Sequence, residues 1–116
     1  MFLDWSAIRI FVRPGATDLR KQINGLAAMA QGEMAKDPFS GSLFVFCNKT
    51  RKLLKALYWD RTGFCLWQKR LEERHRFPWP KSEEAAKEIA VDQFRMVLDG
   101  IDFWNAHQEL TYSTVL

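Results

Sequence analysis

Three short apolar segments follow one another between polar turns, and this pattern most constrains the fold. Residues 42–47, 52–59 and 64–69 each have the length and the apolar or aromatic content of a strand. The polar connections at 48–51 and 60–63 are short, and Gly63 can adopt the left-handed conformation that a tight turn requires. The sequence therefore predicts a three-stranded antiparallel meander.

The turn at 60–63 also predicts how the second and third strands pair. A four-residue connection places Trp59 opposite Phe64, with further pairs following along both strands. Those pairs are Leu57–Leu66, Lys55–Gln68, Tyr58–Cys65 and Ala56–Trp67. Because both faces are mostly apolar, we expect one face to meet the first helix. The other should meet the C-terminal region or a partner.

The N-terminal part has the pattern of a strand followed by a helix. Residues 7–12 alternate in character, which predicts a strand. Apolar residues then recur at helical spacing from Leu19 to Met34, and Thr17 is suited to cap a helix. We therefore expect one long amphipathic helix over 18–34.

The C-terminal part predicts short elements. Phe-Pro-Trp-Pro at 77–80 lacks the amide donors of a central strand, so it should run as an extended, partly exposed segment. Ser82 is placed to cap a short helix that ends near residue 90. The spacing of 91–98 predicts a second helix that stops at Gly100. Residues 101–103 are expected to add a last short strand.

Together these elements predict a single α+β domain over residues 1–116. Its small antiparallel sheet would hold the N-terminal strand plus the three-stranded meander, packed with one long N-terminal helix and short C-terminal helices. Cys47 and Cys65 are too far apart for a CxxC motif. No apolar run is long enough for a membrane span and no secretory signal is visible, so we expect a reduced, cytoplasmic protein.

Charge is distributed unevenly along the chain. Residues 49–81 contain ten Lys or Arg against Asp60, Glu72 and Glu73, whereas residues 82–116 carry a formal charge of −5. Six large aromatic residues are interleaved with the central cations. Cations that neutralise phosphates and rings that offer stacking surfaces are typical of nucleic-acid binding. The alternative is that the acidic C-terminal segment folds back and pairs with the basic region.

We predict a nucleic-acid-binding patch of cations that cluster at the hairpin ends and in the segment that follows. Its residues are Lys49, Arg51, Lys52, Arg61, Lys69, Arg70, Arg74 and Arg76. Phe77 and Trp79 are the candidate partner-binding residues, because prolines flank Trp79 and we expect its ring on the surface. Other aromatic residues, at strand spacing, are expected in the core: Phe44, Phe46, Trp59 and Trp67.

The sequence offers no catalytic or metal-binding motif. GxxxxGK[ST], GxGxxG, HExxH and GxSxG patterns are absent. His75 lies in a cationic run and His107 in a polar tail, each without a partner at ligand spacing. We therefore expect a protein that is not an enzyme and that binds no metal or cofactor.

Four longer segments carry a family resemblance. They are TDLRKQINGLAAM at 17–29, DPFSGSLFVFCNKTRKLLKALYWDRTGFCLWQKRLE at 37–72, FPWP at 77–80 and LDGID at 98–102. In this order they resemble the TnpB-type accessory protein of bacterial insertion sequences of family 66, the product of the second open reading frame. At 73–76 the chain departs from the family, because Glu-Arg-His-Arg replaces a short basic step that contains glycine.

The resemblance implies a small helper encoded beside a separate DDE-type transposase and associated with transposition, with no catalytic residues of its own. One hypothesis is a non-catalytic accessory protein that binds DNA through the basic central hairpin region. Such phosphate contacts predict no sequence preference. The second is a protein–protein adaptor that docks on the transposase or on a co-encoded helper protein without direct DNA contact. An enzymatic activity is a minor third hypothesis.

Overall fold

The computed structural model of the protein describes residues 3–102 and 104, which contain five strands and two helices. The strands are β1 (Ile10–Val12), β2 (Leu43–Cys47), β3 (Leu53–Asp60), β4 (Gly63–Arg70) and β5 (Lys87–Ile89). The helices are α1 (Ile23–Gln31), between β1 and β2, and α2 (Val91–Leu98), after β5. The three strands of the predicted meander are confirmed, each within one residue of its predicted ends.

All five strands form one mixed sheet in the order β4-β3-β2-β1-β5. β1 runs parallel to β2, with Phe11 opposite Phe44, and the other neighbours are antiparallel. A parallel pair needs a crossover connection, which α1 and its flanking loops supply. The predicted antiparallel sheet packed with one long N-terminal helix is therefore wrong, although the α+β class broadly fits.

α1 is much shorter than the predicted helix over 18–34, because backbone bonds to the sheet hold the residues before it. The Arg13 N–H donates to the Val45 carbonyl oxygen at 3.0 Å, and the Thr17 N–H donates to the Cys47 carbonyl oxygen at 2.8 Å. Thr17 is buried and caps no helix, and its hydroxyl oxygen accepts a hydrogen bond from the Arg13 guanidinium. The helix begins only after the chain has left the sheet.

β5 takes the place of the short helix predicted for residues 82–90, so that prediction is wrong. The strand pairs antiparallel with β1, on the side that β2 does not occupy. Ile89 is buried in the core, and the Glu88 carboxylate forms an ion pair with Arg9 at 2.9 Å. β5 thus covers an edge of β1 that would otherwise expose unpaired backbone groups.

The helix predicted over 91–98 is confirmed as α2, which has the same bounds. The predicted last strand is not, because residues 101 and 102 lie in no strand, and residue 103 falls outside the described residues. Neither helix in the described part of the chain combines the length and the apolar character needed to cross a membrane.

The predicted hairpin register is confirmed, with Trp59 opposite Phe64, and the four other predicted pairs are also present. Because side chains alternate along a strand, the two faces of the sheet build separate cores. α1 packs with Phe44 and Leu57 on one face. The segment that contains Phe77 covers the other face together with α2. One face therefore meets the first helix and the other meets the C-terminal region, as expected.

The Phe-Pro-Trp-Pro segment is extended but does not expose its aromatic rings. Phe77 is fully buried and Trp79 is 8% exposed. The Trp79 indole N–H donates to the carbonyl oxygens of Arg13 at 3.0 Å and Gly15 at 3.1 Å. The prediction of a surface position for Trp79 is wrong, because the open face of the sheet needs apolar cover and these rings supply it.

Candidate nucleic-acid interface

The turn between β2 and β3 presents the first predicted cations. The Asn48 carboxamide oxygen accepts hydrogen bonds from the Lys52 N–H at 3.0 Å and the Leu53 N–H at 3.1 Å, which closes the turn. Within it, Arg51 adopts the left-handed backbone conformation with a φ of 61°. The turn holds the side chains of Lys49 and Arg51 exposed at this end of the sheet.

The segment that follows β4 crosses the same end of the sheet. The Leu71 N–H donates to the Lys52 carbonyl oxygen and the Phe77 N–H to the Arg51 carbonyl oxygen, both at 2.8 Å. These bonds tie both ends of the segment to the β2–β3 turn. The exposed cations between the two ties are Arg74 and Arg76.

Two of the predicted cations also hold neighbouring segments in place through hydrogen bonds. The Lys52 ammonium donates a hydrogen bond to the Glu73 carbonyl oxygen. The Lys69 ammonium donates to the Leu98 carbonyl oxygen at 3.0 Å, at the C-terminus of α2, where the helix dipole favours a cation. Both lysines are half-buried, so they position neighbouring segments as well as adding positive charge.

The fold thus gathers seven of the eight predicted cations, together with Lys81, at one end of the sheet, which we call the basic end. Its residues are Lys49, Arg51, Lys52, Lys69, Arg70, Arg74, Arg76 and Lys81. Arg61 is separate, since it lies in the β3–β4 turn at the other end of the hairpin. The seven residue steps of β3, at about 3.3 Å each, put Arg61 about 23 Å from the basic end. That the basic end binds nucleic acid stays a prediction.

Open grooves run between these cations. One, of about 180 Å³, is lined partly by Arg51 and Lys81. Another, of about 500 Å³, is bordered by Lys69, Arg74 and Arg76. Shallow grooves lined by guanidinium and ammonium groups suit an extended polyanion whose charges are spaced along a backbone.

Two carboxylates of the C-terminal segment form ion pairs away from the basic end. Glu84 forms an ion pair with Lys87 at 3.8 Å, and Glu88 forms the one with Arg9. Glu109, the last carboxylate of that segment, lies outside the described residues. Among the described residues 82–101, no ion pair joins this segment to the basic end, although Asp99 lines a groove there beside Arg74 and Arg76. Internal neutralisation by these residues is therefore small.

The basic end carries a net formal charge of +5, because its eight cations stand beside three carboxylates, those of Glu72, Glu73 and Asp99. Among residues 3–102 and 104, Arg70 is the one basic-end cation in an ion pair, with Glu72 at 3.0 Å. Both of these side chains are more than two-thirds exposed, so solvent screens their attraction.

Two exposed cations that the sequence analysis did not predict are Lys81, which belongs to the basic end, and Arg20, which lies near it. Lys81 shares a groove with Arg51 and belongs to the basic run of the sequence, which could have indicated it. Arg20 lines a groove of about 520 Å³ that reaches Lys49. Hydrogen bonds from Arg20 lower the pKa of Asp18 to about 2, so an ionised carboxylate compensates this arginine. No sequence signal indicated Arg20, because its position near Lys49 depends on backbone hydrogen bonds between the segment before α1 and β2.

Phe77 and Trp79, the predicted partner-binding residues, do not form a surface, because both side chains are buried. An exposed aromatic cluster lies instead beside the β3–β4 turn. Phe39 is 57% exposed, and its ring centroid lies 5.1 Å from that of Trp59 and 5.3 Å from that of Phe64. Trp59 and Phe64, though at strand spacing, are therefore only partly covered. Phe44 and Phe46 are fully buried, as predicted.

Within residues 3–102 and 104, no group of three or more His, Cys, Asp or Glu side chains is arranged to hold a metal ion. Cys47 and Cys65 are free thiols. The expectations that the chain is not an enzyme and binds no cofactor stay predictions.

Comparisons with known proteins bear on the whole of this arrangement. A family model described as IS66 Orf2-like protein matches residues 8–108. "Uncharacterized protein y4hO" of Sinorhizobium fredii (strain NBRC 101917 / NGR234) is 39% identical over 102 residues, which cover 88% of this chain and 87% of that protein. "Uncharacterized protein y4jC" of the same strain is 32% identical over 96 residues, covering 83% and 81%. No solved structure matches. The matched residues include the five-stranded sheet and the entire basic end, and the chain belongs to the IS66 Orf2-like family of insertion-sequence accessory proteins.

Proposed function

We propose that this chain is a non-catalytic accessory protein in the transposition of an IS66-type element and that it binds DNA through the basic end. Family membership supports the role in transposition. One observation carries the DNA contact: exposed cations from the β2–β3 turn, the end of β4 and the segment after it meet at one end of the sheet.

The exposed guanidinium groups are suited to phosphate oxygens. Arg51, Arg74 and Arg76 extend from a backbone held by the two 2.8 Å hydrogen bonds between the segment and the turn. A fixed backbone reduces the entropy lost when these side chains contact DNA. Contacts to phosphates release counterions and position the protein on the duplex without reading sequence.

DNA affinity should fall steeply with salt. Contact with about five phosphates predicts a log–log slope of about −4 to −5, so affinity drops roughly 500-fold between 50 and 200 mM salt. Fluorescence anisotropy with labelled element-end and random duplexes measures this slope. Similar slopes on both duplexes are expected, whereas a slope near zero would contradict phosphate binding.

Charge reversal at the two ends of the hairpin localises the contact. Arg74→Glu and Arg76→Glu, tested singly, should each weaken binding and reduce the salt slope by about one. Arg61→Glu makes the same change in net charge about 23 Å from the basic end of its own chain. Measured on the monomeric chain at low concentration, it should leave the slope unchanged. If Arg61→Glu weakens DNA binding as much as Arg74→Glu and Arg76→Glu do, or if the latter two bind DNA normally, the basic end is not the DNA-binding site.

A second candidate function is an adaptor that docks on the element-encoded transposase without contacting DNA. The exposed ring of Phe39, packed on Trp59 and Phe64, supports it, because a solvent-facing aromatic cluster is typical of a protein-binding surface. A pull-down of the transposase with and without element-end duplex separates the candidates. If the native chain shows no DNA affinity and Phe39→Ala loses the transposase, the adaptor function replaces the first proposal.

A further inference from the structure

β4 is the outermost strand on its side of the sheet, and its pairing with β3 is uninterrupted. It pairs with β3 over all eight of its residues and contains no proline. Within the described part of the chain, no strand pairs with its other side. Natural proteins usually shorten, bend or cover such an edge, because its free backbone groups can recruit another strand.

One hydrogen bond identifies the free backbone groups. The Leu71 N–H donates to the carbonyl oxygen of Lys52, the residue directly opposite in the extended β3–β4 register. Directly opposed antiparallel residues alternate between bonded and non-bonded pairs. The odd-numbered residues of β4 therefore turn their backbone groups toward β3. The residues that turn theirs outward are Phe64, Leu66, Gln68 and Arg70.

The side chains of β4 are only partly covered. Every residue of the central strand β2 is buried, whereas no residue of β4 is. Phe64 and Leu66 pack against the core on the α1 side, and Cys65 and Trp67 against the opposite core. A strand added at the free edge of β4 would increase the cover of these side chains.

We propose that a second copy of this chain pairs with it through β4, antiparallel and about a two-fold axis at Trp67. This surface goes beyond the proposed DNA contact: it uses the outer backbone of β4, and it shares only Lys69 and Arg70 with the basic end. The register places Leu66 opposite Gln68 and Phe64 opposite Arg70 of the second copy. All four outward-facing residues then lie in bonded pairs, each of which exchanges two N–H···O bonds.

Charge is the reason for assigning a second copy in this orientation. The cations of β4, Lys69 and Arg70, are its last two residues, and the first six residues are uncharged. Antiparallel pairing sets the cationic end of each strand against the uncharged end of the other. The Arg70 guanidinium then faces the Phe64 ring, a favourable cation–π arrangement. Parallel pairing would place like charges side by side.

Sedimentation velocity without DNA tests the pairing. The native chain should sediment as a dimer at high concentration. Gln68→Pro removes one outward N–H without loss of a buried side chain, and it should give a monomer with a native circular dichroism spectrum. Gln68→Ala keeps the N–H and should remain dimeric. A monomeric native chain, or a folded Gln68→Pro dimer, overturns the proposal.

A disulfide tests the register independently, and it decides the matter if Gln68→Pro fails to fold. The register puts residue 69 of one copy opposite Cys65 of the other in a non-bonded pair, which is close enough for a disulfide. Within one strand the two positions are about 13 Å apart, so they cannot join internally. An added oxidant should convert Lys69→Cys to a covalent dimer, and Lys69→Cys with Cys65→Ser should stay uncrosslinked. No covalent dimer of Lys69→Cys would refute the register.

Discussion

Arg51 occupies a backbone conformation that suits glycine better than arginine. Its φ of 61° lies in the left-handed region, which costs a residue with a Cβ about 1–2 kcal/mol. Its carbonyl oxygen accepts the Phe77 N–H, and its side chain is exposed within the basic end. The same residue therefore lowers the stability of the turn and places a cation where the proposed DNA contact needs one.

Replacing Arg51 by glycine should separate these two effects. Arg51→Gly is expected to raise the free energy of unfolding by about 1 kcal/mol, because glycine adopts this conformation without strain. It should also weaken DNA binding, because a phosphate contact is lost. Urea denaturation and fluorescence anisotropy on the same preparation measure both quantities.

Glu73→Gly is the matched control for Arg51→Gly. Glu73 has a φ of 54°, so glycine should stabilise the fold there by a similar amount, yet no cation is removed. Its DNA affinity should stay equal or rise. If both variants weaken DNA binding alike, the effect of Arg51→Gly comes from the backbone and not from its charge.

At the scale of elements, β2 is the most deeply buried part of the fold. All five of its residues are buried, and it is bonded to β1 on one side and β3 on the other. Cys47 ends this strand with no exposed surface, and burial raises the pKa of its thiol from 9.0 to about 12. The folded chain thus holds this proton more tightly than the unfolded chain does.

This difference in proton affinity predicts a loss of stability at alkaline pH. The contribution of the Cys47 thiol is complete below pH 9, where both states are protonated, and is lost as pH rises toward 12. In Cys47→Ala the free energy of unfolding should fall less between pH 8 and 11 than in the native chain. Tyr58, whose pKa burial also raises to about 12, is common to both chains. If urea denaturation shows the same fall in the free energy of unfolding between pH 8 and 11 for both chains, the Cys47 thiol is not its source.

The elements that the sequence predicted correctly are those set by local pattern. The hairpin register follows from its short turn, and α2 from apolar spacing over eight residues. β5 and the parallel pairing of β1 with β2 depend on partners far away in the chain, which periodicity does not reveal. The start of α1 was also predicted wrongly, because backbone hydrogen bonds from Arg13 and Thr17 to β2 override the helical spacing of the sequence.

At the scale of the whole molecule, the difference between local pattern and long-range contacts explains which residues of the candidate site could be predicted from the sequence. Most cations of the basic end lie within residues 49–76, so the charge count found them. Arg61 is in the same run, but a strand of eight residues carries it to the other end of the hairpin. Trp79 is buried because its segment covers a face of the sheet that the sequence did not locate.

The two proposed surfaces are compatible within one molecule. The basic end lies where β4 finishes, and the dimer surface runs along the outer side of that strand. Antiparallel pairing would place the two basic ends of a dimer at opposite ends of the shared strands. Such a dimer could contact two stretches of DNA at once, which increases the avidity of binding.

Mapping the DNA contact by NMR tests the central claim most directly. Amide chemical shifts of the 15N-labelled chain are recorded while a duplex is added. We expect the largest changes at residues 48–52, 69–76 and Lys81, with smaller changes at residues 39 and 60–64. Changes concentrated at 60–64, or no changes at a duplex concentration that saturates anisotropy binding, would contradict a DNA-binding basic end.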